Sequence, residues 1–135
     1  MLDTNALVSA LLTDGISRKV YFMALEKCTL LRSEQTFMEL IHTLEKPKLQ
    51  RYFKSEKIKT DFVSHFLEIS TFITVHSRFD LCRDRKNNML LELAVDGQAL
   101  FIISGDKDLQ ILNPFRGISI LSPSDFLAWA DGKIL

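Results

Sequence analysis

Residues 100–109 read Leu-Phe-Ile-Ile-Ser-Gly-Asp-Lys-Asp-Leu, an apolar run that ends in a polar turn carrying two aspartates. The run 100–103 has the length and the β-branched and aromatic content of a buried strand. Strands of this kind are typical of parallel sheets that helices cover on both faces. Ligands of such sheets bind beyond the carboxyl ends of the strands, so Asp106 and Asp108 stand where a functional cleft is expected.

The rest of the chain alternates helical patterns with short apolar strands, which predicts an α/β fold with a central, mainly parallel sheet. Further strands are expected at 29–31, 73–75 and 118–121. Helices are expected over 4–12, over 17–27, from a Ser33 cap to about Leu44, from a Ser55 cap to Ile69, from Asp84 to about Ala94, and after Ser122-Pro123. Because no linker or repeat divides the chain, residues 1–135 are expected to form a single domain.

Composition excludes several classes of protein. Lys plus Arg and Asp plus Glu both number 17 among the 135 residues, so no overall basic field indicates nucleic-acid binding. Two cysteines without a C-x-x-C pair, together with three widely spaced histidines, argue against a disulfide scaffold or a structural zinc site. The sequence shows no signal peptide and no apolar run of membrane-spanning length, so a cytoplasmic protein without a membrane partner is expected.

Carboxylates recur at the predicted junctions between elements. Asp3 follows a strand stub at Leu2, Asp84 precedes a helix, and Asp106 and Asp108 follow the strand 100–103, while Glu39 lies within a helix. Each has an ordinary structural explanation as well. Asp3, Asp84 and Asp106 can be helix N-caps, and Glu39 can simply face solvent. Two strand ends that carry carboxylates in one small domain nevertheless favour a shared site.

Carboxylates gathered within about 4–6 Å raise one another's pKa values and repel, unless a cation lies between them. Mg²⁺ or Mn²⁺ is the cation that such oxygen ligands favour. A divalent ion polarises a phosphoryl oxygen and lowers the pKa of bound water, which makes a nucleophile near neutral pH. The acidic residues therefore favour hard-metal chemistry on a phosphoester.

Five segments resemble, in order, the motifs of the PIN-domain family, and together they span nearly the whole chain. They are 2–12 with Asp3, 33–40 with Glu39, 83–94 with Asp84, 104–109 with Asp106, and 117–127, which is similar to the end of the VapC-like toxins of toxin–antitoxin pairs. The resemblance implies a three-layer α/β/α sandwich. It also implies a Mg²⁺- or Mn²⁺-dependent endoribonuclease that acts on RNA, forms homodimers and is blocked by a small antitoxin protein.

The resemblance also implies roles for individual residues. Asp3, Glu39, Asp84 and Asp106 would be catalytic and would bind the metal, with Asp108 as a further ligand. Asn5, Asn87 and Ser104 would support them. Relatives carry a few more apolar residues before Leu2, so either the chain begins late or its first strand is frayed.

Two alternatives stay open. Position 87 is Asn where the third motif usually has Asp, and an amide offers a carbonyl ligand without charge. A catalytically weakened PIN domain that binds RNA or an antitoxin is therefore the second hypothesis. The third is a phosphatase of the haloacid-dehalogenase type, which the early Asp3 and the segment 105–108 favour, although Asn5 stands where that family requires a second Asp.

Basic residues near the acidic positions are candidates for binding RNA. Residues 45–59 contain six basic residues against two acidic ones, with Tyr52 and Phe53 interleaved, a pattern suited to a phosphate backbone and a stacked base. The residues assigned to RNA are Lys46, Lys48, Arg51, Arg83, Arg85 and Lys107. The basic residues next to the acidic positions, including Lys86, could hold flanking phosphates or merely balance the acidic charge. A solvated surface remains the ordinary explanation of such a run.

Overall fold

The computed structural model describes residues 2–12, 15–50, 53 and 55–132. Helices and strands alternate through most of this length. The helices are α1 (Thr4–Leu12), α2 (Ile16–Lys27), α3 (Glu34–Leu44), α4 (Pro47–Gln50), α5 (Glu56–Ile69), α6 (Arg85–Asp96), α7 (Lys107–Gln110) and α8 (Pro123–Ala130). The strands are β1 (Leu30–Arg32), β2 (Ser70–Phe72), β3 (Phe101–Ile103) and β4 (Ser119–Leu121). No helix within the described ranges is both long and apolar enough to cross a membrane.

The described strands all pair in parallel. β1 pairs with β2, and β3 pairs with β4. Leu2 adds an isolated parallel bridge to Ile103 at the end of β3. The predicted α/β class with parallel strands is thus confirmed, although the described strands form two pairs rather than one continuous ladder.

One strand prediction was wrong. Residues 73–75 were expected to form a strand, but β2 ends at Phe72 and the hydrogen-bonded ladder continues by a single bond, from Ile73 N to Arg32 O. β1 has three residues, and the described register pairs each of them with one residue of β2. Burial still alternates over 73–75, because Ile73 and Val75 pack against the core while Thr74 is exposed. The β-branched pattern therefore reports alternating burial rather than pairing in a sheet.

Two apolar clusters hold these elements together. The larger cluster packs α1, α2, α3, α5 and α8 around residues such as Val20, Leu40 and Phe126. The second lies between α6 and the β3–β4 pair and includes Leu91 and Ile102, both fully buried. Each fully buried side chain of this size contributes roughly 1.5–3 kcal/mol. α6 is consequently fixed along its length against the strands.

Caps set where the helices begin. Ser33 Oγ accepts a hydrogen bond from Thr36 N at 3.1 Å, and Ser33 N donates to Thr36 Oγ1 at 2.9 Å, so the predicted Ser33 cap is confirmed as a capping box. Ser55 precedes α5 as predicted, but its side chain makes no cap hydrogen bond. The fixed start of α3 determines which face of that helix carries Glu39 toward α6.

Candidate active site

A small pocket of about 40 Å³ lies beyond the carboxyl end of β3. Its walls come from the start of α1, the middle of α3, the first turn of α6 and the loop after β3. The lining residues are Asp3, Thr4, Asn5, Thr36, Glu39, Asp84, Lys86, Asn87, Met89, Leu90 and Asp106. A water molecule needs about 10–15 Å³ measured in this way, so the pocket has room for an ion with a few waters rather than a larger organic ligand.

Asp3 is the most buried carboxylate of the pocket. Its backbone N–H bonds to Ile103 O at 3.2 Å, which fixes the chain next to the end of β3. Asp3 Oδ1 accepts from Ala6 N at 2.8 Å, and Asp3 Oδ2 accepts from Ser104 Oγ at 2.5 Å. The side chain therefore caps α1 with one oxygen and faces the residues after β3 with the other.

The electrostatic position of Asp3 is unfavourable for its charged form. The residue is 6% exposed, and this burial raises the pKa of its carboxyl above the ordinary value. Hydrogen bonds from Ser104 and Ala6 counteract part of the rise, while the negative charge of Asp106 adds to it and Lys86 opposes it. A buried carboxylate in such surroundings gains from a bound cation.

Asp106 has the same double role as Asp3. Asp106 Oδ1 accepts from Asp108 N at 2.8 Å and caps α7, while Asp106 Oδ2 accepts from Asn87 Nδ2 at 3.0 Å. Ser104, which is fully buried, links the two aspartates, because its hydroxyl donates to Asp3 and accepts from Asp106 N at 3.0 Å. Each aspartate therefore both caps a helix and lines the pocket, because one of its two oxygens makes the cap and the other does not.

Glu39 and Asp84 face each other across the ammonium group of Lys86. Lys86 Nζ lies 3.7 Å from Glu39 Oε1 and 3.9 Å from Asp84 Oδ2. Glu39 Oε1 also accepts from Thr43 Oγ1 at 3.0 Å, and the Glu39 side chain is 15% exposed. Solvent exposure, the ordinary expectation for Glu39, was therefore wrong, because α3 turns this residue toward α6.

The remaining predicted site residues lie at the rim of this pocket or outside it. Asp108 does not line it, and its Oδ2 pairs with the exposed Arg83 at 2.9 Å. Lys48 and Lys107 are exposed and Lys46 is half-buried, whereas Arg51 lies outside the described residues. Asn5 is exposed at the pocket rim.

Two basic residues considered for RNA have carboxylate partners within the fold. Arg85 donates to Glu92 Oε2 at 2.7 Å and to Glu92 Oε1 at 2.9 Å, a two-point ion pair. Lys59 of the basic run is buried and bonds to Gln50 and Glu56. Both cations are occupied by partners that the sequence patterns did not identify.

Sequence reasoning missed a row of polar residues on α6 that hold the segment before it. Asn88 Oδ1 accepts from Leu81 N and Cys82 N, and its amide donates to Cys82 O. Glu92 accepts from Phe79 N, and Asp96 accepts from the amides of residues 76 and 77. The spacing of the three, four residues apart on an otherwise apolar helix face, is the signal that would have revealed them.

The pocket offers the donors that a hard divalent ion prefers, because its polar lining is largely carboxylate and amide oxygen. In that sense the residues fit Mg²⁺ or Mn²⁺. They are not drawn together around one point, however: no three Asp, Glu, His or Cys side chains of the described residues group closely enough to hold an ion. The expected tight cluster of carboxylates is thus corrected to a shared pocket, in which Lys86 and Asn87 bond to some of the acidic groups.

Parallel strands, covering helices and an acidic pocket beyond β3 define a small α/β protein built around a polar site at the sheet edge. Residues 1–108 match the family profile of the PIN domain, and the chain belongs to the PIN-domain family. Proteins of this family are generally nucleases. The match favours the PIN interpretation over the phosphatase alternative.

Two further likenesses agree with this assignment. The chain is similar to the uncharacterized protein MJ1680 of Methanocaldococcus jannaschii, with 32% identity over 111 residues that cover 81% of this chain and 71% of that protein. Its fold is similar to the crystal structure of PAE2754 from Pyrobaculum aerophilum, with a TM-score of 0.62 and 13% identity over 97% of this chain and 88% of that one. The second likeness supports the fold alone.

Proposed function

We propose that this chain is a divalent-metal-dependent endoribonuclease that hydrolyses RNA phosphodiester bonds. The observation that carries the proposal is the position of Asp3, Glu39, Asp84 and Asp106. They come from four distant parts of the sequence and line one pocket of a PIN-domain protein. Asp3 is buried there with neutral hydrogen-bond donors, which is a costly arrangement for a charged group.

The four carboxylates would hold Mg²⁺ or Mn²⁺, with Asp108 in support, and the ion would polarise a phosphoryl oxygen and activate water. Ser104 fixes the outer oxygen of Asp3 and the backbone of Asp106 through one hydroxyl, so it positions both ligands. Asn87 orients Asp106 through its amide. Asn5, at the rim, is placed to contact the substrate. No side-chain nucleophile is required.

A paired titration and cleavage assay tests the proposal. Mn²⁺ binding is measured by calorimetry, and cleavage is followed on an unstructured RNA, for the wild type and for Asp3→Asn. Asp61→Asn is the matched control, because it makes the same chemical change at an exposed residue that pairs with Lys57 outside the pocket. We expect Asp3→Asn to abolish metal binding and cleavage, and Asp61→Asn to retain both.

A second candidate function is that of a binding module with weakened catalysis. Asn87 favours it, because its amide donates to the Asp106 oxygen that would otherwise be open to a metal. Asn87→Asp separates the two functions. A large gain in Mn²⁺ affinity and in cleavage would favour the binding-module reading for the natural chain, whereas full cleavage by the wild type would exclude it.

The finer biological role follows the family resemblance. We propose a single domain over residues 1–135 that acts as a cytoplasmic toxin, forms a homodimer and is inhibited by a cognate antitoxin protein. Phe22 on α2 and Met38 on α3 are 58% and 60% exposed, which suits a protein partner. Arg83 and Lys107, together with the basic residues 46, 48 and 51, would bind the RNA backbone. Light scattering of the purified chain tests the dimer, and an upstream reading frame for a DNA-binding antitoxin tests the pairing.

A further inference from the structure

Lys86 is the cation of the acidic pocket. It lies in the first turn of α6, lines the pocket together with the four carboxylates, and is 40% exposed. Its ammonium group lies between two of them, at 3.7 Å from Glu39 and 3.9 Å from Asp84. These two carboxylates belong to different elements, α3 and the residue before α6, so Lys86 bridges the two walls of the site.

The distances describe a charge interaction rather than fixed hydrogen bonds, because both exceed 3.5 Å. A loosely held ammonium group can move without breaking short, directional bonds. Its side chain is also partly solvated, so an alternative position in water is open to it. Lys86 therefore offsets part of the negative charge of the pocket without being part of a rigid network.

Another cation in the pocket would conflict with Lys86. An ion with two positive charges that takes oxygens of Glu39 or Asp84 competes for the same lone pairs and repels the ammonium group at close range. Lys86 itself lines the free space of about 40 Å³, so an ion placed there would lie near its side chain. A metal that takes oxygens of these two carboxylates would therefore have to separate the two ion pairs of Lys86.

We propose that Lys86 is an internal counter-ion which holds Glu39 and Asp84 in the absence of metal and is displaced when a divalent ion binds. Lys86 thereby sets the metal affinity of the site: metal binding is an exchange of one cation for another. The inference deepens the proposed nuclease function and rests on it, since it concerns the same pocket. It also gives a physical reason why the described carboxylates share a pocket without forming a close cluster.

Calorimetric titration with Mn²⁺ of the purified full chain tests the exchange. The variants are Lys86→Gln, which removes the charge, and Lys86→Arg, which keeps it. Lys57→Gln is the matched control, because Lys57 also lies on a helix and pairs with a carboxylate, 2.8 Å from Asp61 and away from the pocket. Thermal unfolding of each variant without metal verifies folding, and Lys86→Met serves if the glutamine variant fails to fold.

We expect Lys86→Gln to bind Mn²⁺ about tenfold more tightly than the wild type, which corresponds to about 1.4 kcal/mol. The Mn²⁺ affinities of Lys86→Arg and Lys57→Gln should stay within about twofold of the wild-type affinity. An affinity of Lys86→Gln equal to or weaker than that of the wild type would overturn the inference. The inference would also fail if removing the charge leaves a protein that takes up no Mn²⁺ at all.

Cleavage of RNA, measured on the same samples, separates this inference from the function on which it rests. Equal Mn²⁺ affinities with metal-dependent cleavage would overturn the exchange and leave the nuclease function standing. Tighter Mn²⁺ binding by Lys86→Gln without cleavage by any variant would support the exchange and contradict the nuclease function.

Discussion

Glu92 and Asp3 are two buried carboxylates with opposite surroundings. Glu92 is 1% exposed and pairs through both oxygens with Arg85, while Phe79 N donates a further hydrogen bond. Asp3 is 6% exposed, and its hydrogen-bond donors in the described part of the chain are a hydroxyl and a backbone N–H, both neutral. One carboxylate is matched by a cation and the other is not.

The pKa values of the two groups differ accordingly. Burial alone would raise the pKa of Glu92, but Arg85 and the Phe79 amide outweigh it and hold that pKa below the ordinary value. Burial raises the pKa of Asp3, and its neutral donors only partly oppose the rise. A buried carboxylate costs the fold less when a cation compensates its charge, and one without a hydrogen-bonded cation is a candidate for a binding site. The comparison thus separates the structural polar row of α6 from the pocket.

Removal of the cation beside Glu92 is expected to have the largest effect on stability. Arg85→Met should lower the free energy of unfolding by about 2–3 kcal/mol, less than for a fully buried pair because Arg85 is 46% exposed. Urea unfolding at pH 7 measures it. Glu92→Gln in the Arg85→Met background should recover part of the loss, since it keeps an acceptor for Phe79 N without a buried charge. A loss below about 0.5 kcal/mol would show that Arg85 does not compensate the buried charge of Glu92.

The contribution of the Glu92–Arg85 pair to stability should fall as the pH becomes acidic. Because the folded pKa of Glu92 is below the ordinary 4.5, its contribution is fully present above that value and is lost as the pH falls through the lower folded pKa. The difference in free energy of unfolding between the wild type and Arg85→Met should therefore shrink as the pH is lowered from 7 to 3. Parallel curves over this range would show that Glu92 does not require Arg85.

Asn88 tests how the polar row of α6 supports the pocket. Asn88→Ala removes the partner of two backbone N–H groups and one carbonyl at residues 81 and 82, at a cost of about 2 kcal/mol. Because the released segment leads to Asp84, Mn²⁺ affinity should fall as well. Leu91→Ala, in the same helix and in the core, is the control: it should lose stability while a folded sample retains its metal affinity. Equal metal affinities of Asn88→Ala and Leu91→Ala would show that the polar row of α6 does not support the pocket.

The smallest expected effect on stability has the opposite sign. Asp3→Asn should raise the free energy of unfolding by about 1 kcal/mol at pH 7 without metal, because the buried charge is removed while the amide oxygen still accepts from Ala6 N and the amide NH2 donates to Ser104 Oγ instead of accepting from it. The folded pKa of Asp3 lies above 3.8, so the stability that its protonated form provides is present below 3.8 and is lost as the pH rises through the folded value. The gain should therefore disappear near pH 3. A destabilised Asp3→Asn at pH 7 would mean that the charge itself supports the fold.

Local signals in the sequence predicted most of the fold. The strand at 100–103 and the capped helix after Ser33 rest on short-range patterns, and β3 and α3 agree with them. The strand expected at 73–75 failed because a strand depends on the length of its partner, here the three residues of β1. The α/β class with parallel strands was therefore predictable, whereas the division of the strands into two pairs was not.

The acidic lining of the candidate pocket was predictable from the sequence, whereas the partner of each neighbouring cation was not. Asp3, Asp84 and Asp106 were identified from their positions after strands or before a helix. Each one also caps a helix with one of its oxygens, and the same side chain still lines the pocket. Arg85 and Lys86 are adjacent in sequence, yet one reaches Glu92 and the other reaches Glu39. Long basic side chains have many rotamers, so their partners depend on tertiary structure that the sequence pattern does not contain.

Crystals of the wild-type chain soaked in Mn²⁺ test the central claim most directly, through the anomalous scattering of the metal. The account predicts one strong anomalous peak in the pocket, within ligand distance of Asp3 and Asp106, and a Lys86 ammonium group farther from Glu39 than 3.7 Å. A metal-saturated crystal with no peak between these two aspartates would contradict it.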